Sequence, residues 1–248
     1  MEIHVEETHK DLGEKAAKVG AMAIREAIHT NGTANIILAT GASQFGVLEQ
    51  LSKETNINWS NVNGFHLDEY IGIPIDHPAS FRLYLWKRFI SKLPTPLKSF
   101  HYINPEKSAE SACLQVGKEI ASNPIDVAFI GIGENAHIAF NDPPANFHTT
   151  EPYIIVDLDE DCRTQQLGEG WFSSINEVPM KAISMSVTQI IKSKKIICSV
   201  PDKRKAKAVK HAIKGPVTPK CPASILNNHR DCTLFLDNNS ASEIIDYL

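Results

Sequence analysis

The sequence contains few cysteines and no cysteine pair of the kind that binds metals. Its five cysteines are an odd number, they are widely spaced, and none forms a Cys-x-x-Cys motif. Such a pattern suggests neither a disulfide framework nor a zinc site. We therefore expect reduced thiols, with Cys198, which falls in a strand-like run, as a small core residue.

Long apolar runs and an excess of basic charge are missing too. No stretch approaches the roughly 18 apolar residues that a membrane span needs, and the first ten residues, MEIHVEETHK, lack the basic start and apolar core of a signal peptide. The net charge of -4 gives no overall footprint of a nucleic-acid-binding protein. We therefore expect a cytoplasmic protein that binds neither membranes nor nucleic acids and holds any anionic ligand locally.

Repeats, low-complexity tracts and linkers are also absent. The chain has 248 residues, 42% of them hydrophobic, which is an ordinary globular composition. Short apolar runs alternate with segments of helical periodicity along its whole length. This alternation predicts one α/β domain over residues 1–248, with three layers, a mainly parallel Rossmann-like sheet and helices on both faces. It does not determine the strand order.

The apolar pattern also predicts where the individual elements lie. Residues 161–172 form a polar stretch to which no element is assigned. The predicted strands are residues 35–39, 62–67, 125–130, 153–158, 181–185, 195–200 and 232–236. The predicted helices are residues 8–27, 45–55, 81–92, 105–121, 187–191 and 203–213.

The segment GIGENAHIAFNDPP, residues 131–144, follows the most apolar of these strands. Residues 125–130 suit a strand that is buried on both faces, and Gly131 and Gly133 end it. Ligands of open α/β sheets bind beyond the carboxyl ends of the strands, so His137 would be delivered to a ligand cleft. A structural turn with a hydrogen-bonded histidine fits the same residues, and the segment alone leaves both interpretations open.

Two further strand ends carry polar residues. Gly41, Ala42 and Ser43 form a small-residue turn between a strand and a helix, where exposed backbone N–H groups and the helix dipole suit a phosphate. Many proteins use such a turn only to reverse the chain. Asp68 and Glu69 follow the next strand, and they fit either a functional pair of acids or a solvated loop.

Two motifs together resemble a known family. FHLDEYIGIPIDHPASF, residues 65–81, is similar to the pattern F-x-x-DEY-x-G-x-x-x-x-HP-x-S-[FY] of the glucosamine-6-phosphate deaminases, also called isomerases. GIGENAHIAFNDPP is similar to their G-[IV]-G-x-[DN]-[GA]-HI-[AG]-FNEP. The resemblance covers nearly the whole chain. The sibling 6-phosphogluconolactonases share the leading G-x-G and lack the HIAFN run, which favours the deaminases.

The resemblance implies a metal-independent, cofactor-free reaction on a hexosamine 6-phosphate. The enzyme opens the sugar ring, moves a proton from C2 to C1 and releases ammonia to leave a ketose phosphate. His137 matches the ring-opening histidine and Asp68 the base that carries the proton. Asn135 and Asp142 match the positions that orient the histidine. The family prefers glutamate at Asp142, so either the loop moves inward or a water bridges the shorter side chain.

The resemblance also implies a set of phosphate ligands and a small-molecule sugar phosphate as partner. It leaves a homo-oligomer open. Arg204, Lys207 and Lys210, beside one of the expected ligands, are interpreted as a solvated helix face. The expected phosphate ligands are Gly41, Ala42, Ser43, Arg163 and Lys205.

Other functions fit the same residues. A 6-phosphogluconolactonase would hydrolyse a lactone in this cleft without needing Asp68. A sugar-phosphate-binding protein without catalysis would need neither Asp68 nor His137, and the presence of both residues argues against it. The identity of the hexosamine stays open.

Overall fold

Ten strands and seven helices make up the computed structural model, which describes residues 1–247. The strands are β1 (Glu2–Glu6), β2 (Ala34–Leu38), β3 (Val62–His66), β4 (Asp68–Tyr70), β5 (Ser99–His101), β6 (Val127–Ile130), β7 (Tyr153–Asp157), β8 (Lys181–Met185), β9 (Lys195–Val200) and β10 (Cys232–Asp237). The helices are α1 (His9–Asn31), α2 (Phe45–Lys53), α3 (Phe81–Arg88), α4 (Ala109–Ala121), α5 (Glu160–Gly168), α6 (Val187–Ile190) and α7 (Ala206–Lys214).

Seven of the strands form one parallel sheet in the order β1-β10-β9-β6-β2-β3-β5. Strand β6 shows why this sheet is covered on both sides. Its residues Ala128 and Ile130 pack with α4, α6 and α7, while Val127 and Phe129 pack with α1, α2 and α3. All four are fully buried. The predicted three-layer, mainly parallel fold with helices on both faces is confirmed.

The two helices on one face lie unusually close to each other and to the sheet. A Cβ on Gly13 of α1 would lie 2.8 Å from the carbonyl carbon of Gly46 in α2. A Cβ on Gly20 would collide with the ring of Phe129. These glycines let α1 cross the sheet and hold α2 beside the turn that precedes it.

A second, three-stranded antiparallel sheet was not predicted. Its order is β4-β8-β7, and β4 follows β3 after the single residue Leu67. Leu67 donates its N–H to Leu38 of the large sheet at 3.3 Å, and its carbonyl accepts from Met185 of the small sheet at 2.8 Å. The chain therefore passes from one sheet to the other at the residue before Asp68.

Helix α5 corrects the assignment of residues 161–172 as an irregular polar stretch. Asp159 caps the helix, because its Oδ1 accepts from the N–H of Cys162 at 2.6 Å. Only Cys162 and Gln166 of the helix are buried, so the sequence shows no apolar periodicity there. The edge strands β1 and β5 escaped prediction for a similar reason, since they contain few fully buried residues.

The structure also bears on the cysteines and on a possible membrane span. All five cysteines are free, and Cys198 is fully buried in β9 as a core residue. Within residues 1–247, no helix is both long enough and apolar enough to cross a membrane.

Glu69 turns inward to hold helix α3, which resolves the two interpretations of the acid pair. Its carboxylate accepts from the backbone N–H groups of Phe81 and Arg82 at 3.1 and 2.9 Å, and from Arg82 Nε at 3.0 Å. The side chains of both charged residues are almost fully buried. A second carboxylate pairs with Arg82, because Oε1 of Glu106 lies 2.8 Å from Nη1 of the guanidinium. The network fixes the strand that presents Asp68.

We expect Glu69→Gln to lower the free energy of unfolding by about 2 to 3 kcal/mol, because the buried guanidinium loses its main counter-charge. Urea unfolding measures the change. Glu26→Gln removes the same charge from the exposed face of α1 and should change stability by about 0.5 kcal/mol or less. Equal midpoints for the two variants would contradict this role.

Candidate active site

A cleft of about 180 Å³ lies at the carboxyl edge of the large sheet. Parallel strands end at the same edge, so segments far apart in the chain meet there. The segments after β2, β3, β6 and β9 supply most of its walls, and the first residues of α1 and α3 together with the end of α5 complete them. The predicted site residues that line it are Gly41, Ala42, Ser43, Asp68, His137 and Lys205.

The loop after β6 presents His137 in a tight turn. The imidazole packs directly on Gly133, where any Cβ would collide with the ring. The N–H of Gly133 donates to the carbonyl of His137 at 2.9 Å. Asn141 anchors the far end of the loop by donating its side-chain N–H to the carbonyl of Met185 in β8 at 2.8 Å. The glycine and the asparagine of the motif thus hold the histidine at the cleft.

Asn135 and Asp142 stand behind the histidine. Nδ1 of His137 lies 3.0 Å from Oδ1 of Asp142. Asn135 donates to the same carboxylate oxygen at 3.0 Å, and its own oxygen accepts from the N–H of His137 at 3.0 Å. Burial would raise the pKa of Asp142, but hydrogen bonds from His137, Asn135 and the backbone of Asp159 outweigh it, so the pKa falls below its ordinary value.

This arrangement selects one tautomer of the imidazole. An ionised Asp142 keeps a proton on Nδ1 of His137 and leaves Nε2 free to exchange a proton with a ligand in the cleft. The contact between the two side chains is direct, so the shorter carboxylate reaches the ring without a bridging water. The bridging water, one of the two alternatives for this position, is therefore not needed, and the inward movement of the loop stays a prediction.

One group near this pair offers the donor atoms that a metal uses. Among the described residues, ligand atoms of His137, Asp142 and Cys162 lie within 4.8 Å of one another. Asp142 already accepts a hydrogen bond from Asn135 and lies 3.0 Å from Nδ1 of His137, so its position does not require an ion. The expectation of a metal-independent site stays a prediction.

Asp68 is the second titratable group of the cleft. It is 6% exposed, and its Oδ1 is buried without a hydrogen-bond partner. Burial and then the charge of Glu69 raise the pKa of Asp68 well above its usual range. A carboxylate in such surroundings binds a proton more tightly than one in water. Asp68 is therefore a stronger base than an exposed aspartate when it is ionised.

The turn after β2 lines the cleft just before α2 begins. Gly41 has φ of +88° and ψ of 171°, a conformation that strongly favours glycine. Tyr84 donates to its carbonyl at 2.8 Å. Gln44 ties the turn to the central strand, because its Nε2 donates to the carbonyl of Ile130 at 3.2 Å. Only Gly41 of this turn needs the positive φ, so Ala42 fits without strain.

Lys205 and Arg204 bring positive charge to the same end of the cleft. Lys205 is 7% exposed, and its Nζ lies 3.8 Å from Oε1 of Glu134. Burial lowers the pKa of Lys205, and the charges of Glu134 and Glu169 offset part of the effect. Arg204 pairs with Asp202 at 2.9 Å and with Glu134 at 3.2 Å. Arg204 thus lines the cleft with a side chain that is still about half exposed, so its interpretation as a solvated residue holds only for part of the side chain.

Arg163 is the predicted site residue that the structure does not bring to the cleft. Its guanidinium donates to the carbonyl of Ile175 at 2.5 Å and to that of Val178 at 3.3 and 3.1 Å. These bonds hold α5 against the loop that follows it. The geometry therefore does not support Arg163 as a phosphate ligand, because Nε and Nη2 are bound to backbone carbonyls and the side chain does not line the cleft.

Several cleft residues carried no sequence signal. They lie on α1 and α5 or next to a predicted ligand, and none belongs to the two motifs. Adjacency to Lys205 could have indicated Arg204. Nε2 of His9 is buried without a hydrogen-bond partner. The polar and charged residues of this kind are His9, Gln165, Gln166, Glu169 and Arg204.

The fold and the cleft define an α/β protein of the Rossmann-like class with a ligand site at the carboxyl edge of its sheet. A family model described as glucosamine-6-phosphate isomerases/6-phosphogluconolactonase matches residues 7–235. The chain belongs to this family, which confirms the resemblance seen in the two motifs.

Relatives match over almost their whole length. A glucosamine-6-phosphate deaminase of Thermoanaerobacter sp. (strain X514) is 35% identical over 251 residues, covering 99% of this chain and 96% of that protein. The glucosamine-6-phosphate deaminase of Oenococcus oeni is 33% identical and covers 98% of both. The solved structure of a monomeric glucosamine-6-phosphate deaminase superposes with a TM-score of 0.89 at 31% identity, covering 98% of this chain and 100% of that one.

A more distant structure shows the same fold. The 6-phosphogluconolactonase of Thermotoga maritima superposes with a TM-score of 0.79 at 17% identity, covering 95% of this chain and 99% of that one. At this identity the likeness shows a shared architecture. The two branches of the family must therefore be separated by the chemistry of the site.

Proposed function

We propose that the chain catalyses the isomerising deamination of a hexosamine 6-phosphate, with glucosamine 6-phosphate as the first candidate. The observation that supports it best is that one cleft joins two proton-transfer groups, Asp68 and His137, to an anion-binding turn and the buried Lys205. A lactonase would use the histidine and the anion site without the buried base. The relatives at 33–35% identity carry the deaminase name.

The phosphate fixes the sugar at one end of the cleft. Backbone N–H groups of the turn at Gly41 and the hydroxyl of Ser43 offer hydrogen bonds. Lys205 adds a charge-assisted contact, and Arg204 lies beside it. Binding at the far end of the substrate orients the reacting carbons, and orientation of this kind supplies much of the rate enhancement in many enzymes.

His137 then opens the ring. Its Nε2 accepts the proton of the C1 hydroxyl and returns it to the ring oxygen as the bond between C1 and that oxygen breaks. Asp142 stabilises the imidazolium that forms between these transfers. The product of this step is the open-chain aldehyde.

Asp68 carries out the second proton transfer. It removes the proton at C2 while the C1 carbonyl oxygen takes a proton from solvent, because His137 has already returned its proton to the ring oxygen, and an enolamine forms. Asp68 then returns its proton to C1, which leaves a protonated C2 imine, and the extra proton goes back to solvent when the imine is hydrolysed. Addition of water to the imine and loss of ammonia give the ketose phosphate, so the net reaction consumes one water for each ammonia released.

The direct test supplies purified protein with glucosamine 6-phosphate, galactosamine 6-phosphate and 6-phosphogluconolactone in separate assays. The proposal predicts equal molar amounts of ammonia and ketose phosphate from at least one hexosamine phosphate. Acid release from the lactone, without ammonia from either amino sugar, would instead assign the lactonase function. Tight binding of the sugar phosphates without any turnover would assign a binding protein.

We expect Lys205→Met to raise KM for the hexosamine phosphate about 10- to 100-fold while kcat falls less, because the lost charge contacts the phosphate in the ground state and the transition state alike. Steady-state kinetics separate the two constants. Lys207→Met, on an exposed position of α7, is the matched control and should leave both constants unchanged. A kcat loss at constant KM for Lys205→Met would place the lysine in the chemical step instead.

A further inference from the structure

Glu169 lies at the phosphate end of the cleft, where a carboxylate is unexpected. It is the residue that follows α5, and it lines the cleft together with Arg204 and Lys205. Its two carboxylate oxygens lie 3.6 and 3.7 Å from the position that a Cβ on Gly41 would take. The negative side chain therefore faces the turn that is proposed to bind a phosphate.

Local structure does not explain this position. Oε2 of Glu169 is buried and has no hydrogen-bond partner. The residue stands at the carboxyl end of α5, where the helix dipole disfavours a negative charge. Burying a carboxylate oxygen without a hydrogen-bond partner is costly, although the rest of this side chain is only partly buried. The backbone of Glu169 closes the helix through bonds to Gln165 and Gln166, a role that any residue could fill.

The attraction that holds the carboxylate comes from the two cations of the cleft. The charge of Glu169 contributes to raising the pKa of Arg204, after the larger contributions of Asp202 and Glu134. It also offsets part of the effect of burial on Lys205. No ion pair within 4.0 Å forms between Glu169 and either cation in the described part of the chain. Glu169 thus interacts with Arg204 and Lys205 by longer-range electrostatic attraction across the cleft.

Before any ligand binds, the charged side chains at this end of the cleft carry a net negative charge. Arg204 and Lys205 contribute two positive charges, while Glu134, Asp202 and Glu169 contribute three negative ones. A phosphate dianion that binds here is attracted by the two cations and repelled by the three carboxylates. Glu134 and Asp202 pair directly with the cations, so Glu169 is the carboxylate whose charge is left unpaired beside the turn.

We propose that the carboxylate of Glu169 competes with a bound phosphate for the positive charges of Arg204 and Lys205. Its carboxylate shares the field of Arg204 and Lys205 in the free protein and weakens the binding of a phosphate dianion. Glu169 thereby sets the substrate affinity without taking part in proton transfer. This inference rests on the proposed function for the identity of the anion.

The test compares Glu169→Gln with Glu160→Gln, which removes the same charge from an exposed position at the other end of α5. Two readouts are measured: KM for glucosamine 6-phosphate, and the concentration of inorganic phosphate that half-maximally raises the thermal unfolding temperature. For Glu169→Gln we expect both to fall about five-fold or more, with kcat within about two-fold, because a like charge near the anion is removed. Glu160→Gln should change neither.

Salt provides a second check on the same variants. The ratio of wild-type to Glu169→Gln half-saturation for inorganic phosphate should shrink between low and high sodium chloride, since the repulsion is screened. An unchanged or increased KM and phosphate half-saturation in Glu169→Gln would overturn the inference. If wild-type protein released no ammonia, the proposed function would fail, while the inorganic phosphate measurement would still decide whether Glu169 opposes an anion.

Discussion

Asp68→Asn is expected to lower kcat about 10³-fold or more while it leaves the protein as stable as the wild type or more stable. Loss of a general base costs about 10² to 10⁴ in rate, and this base is asked to remove and return a carbon-bound proton. Asparagine has nearly the same shape and cannot accept the proton. The carboxylate it replaces is buried with an unpartnered oxygen, so the fold loses no hydrogen bond from Oδ1.

The predicted stability of Asp68→Asn follows from the raised pKa of Asp68. A group whose pKa is higher in the folded than in the unfolded protein contributes stability at low pH, and this contribution is lost as the pH rises through the folded value. Because burial and Glu69 raise the pKa of Asp68, its ionisation destabilises the fold at neutral pH. Asp68→Asn removes that cost, so its advantage in unfolding temperature should grow as the pH rises.

Steady-state kinetics measure the predicted loss of kcat, and thermal unfolding over a pH series measures the predicted change in stability. Asp76→Asn, in an exposed loop, serves as the control and should change neither activity nor stability. In the wild type, kcat/KM should rise with pH through a value above the ordinary aspartate range, because the base must be ionised. An Asp68→Asn protein that keeps more than about a tenth of the activity would contradict the assignment of the base.

His137→Gln should lower kcat about 10²- to 10³-fold, since the side chain can no longer carry a proton between the C1 hydroxyl and the ring oxygen. Glutamine can still donate a hydrogen bond, so substrate binding should be nearly preserved and KM should change little. Steady-state kinetics on the hexosamine phosphate measure both constants.

The exposed His148 offers the matched control for this variant. His148→Gln should behave as the wild type. A His137→Gln protein whose KM rises while kcat is maintained would show that the histidine only binds substrate. Loss of folding is checked by the thermal unfolding temperature, which should fall modestly because the ring packs on Gly133 in the cleft wall.

The central sheet could be predicted because its physical signal is local. Val127 to Ile130 are buried on both faces, so the run is uniformly apolar and reads as an inner strand. The small sheet gives no such signal. Its strand β4 is the three-residue segment Asp68–Tyr70, and its identity as a strand depends on pairing with β8, more than a hundred residues later in the chain.

The site shows the same division between local and long-range information. The motifs indicated Asp68 and His137, the small residues between a strand and a helix indicated the turn at Gly41, and the structure brings all three to one cleft. Arg163 and Arg204 show the limit, because both are cations near predicted site segments. Only the three-dimensional contacts reveal that Arg163 is tied to backbone carbonyls while Arg204 lines the cleft.

The catalytic mechanism is tested most directly by the fate of the hydrogen at C2. Glucosamine 6-phosphate labelled with deuterium at C2 is converted in ordinary water, and the sugar product is analysed by nuclear magnetic resonance together with the ammonia released. The mechanism predicts one ammonia per turnover and deuterium at C1 of part of the ketose phosphate, because a single carboxylate removes the hydrogen at C2 and returns it to C1. A ketose phosphate with no deuterium at C1 above background would contradict the transfer of this hydrogen by Asp68.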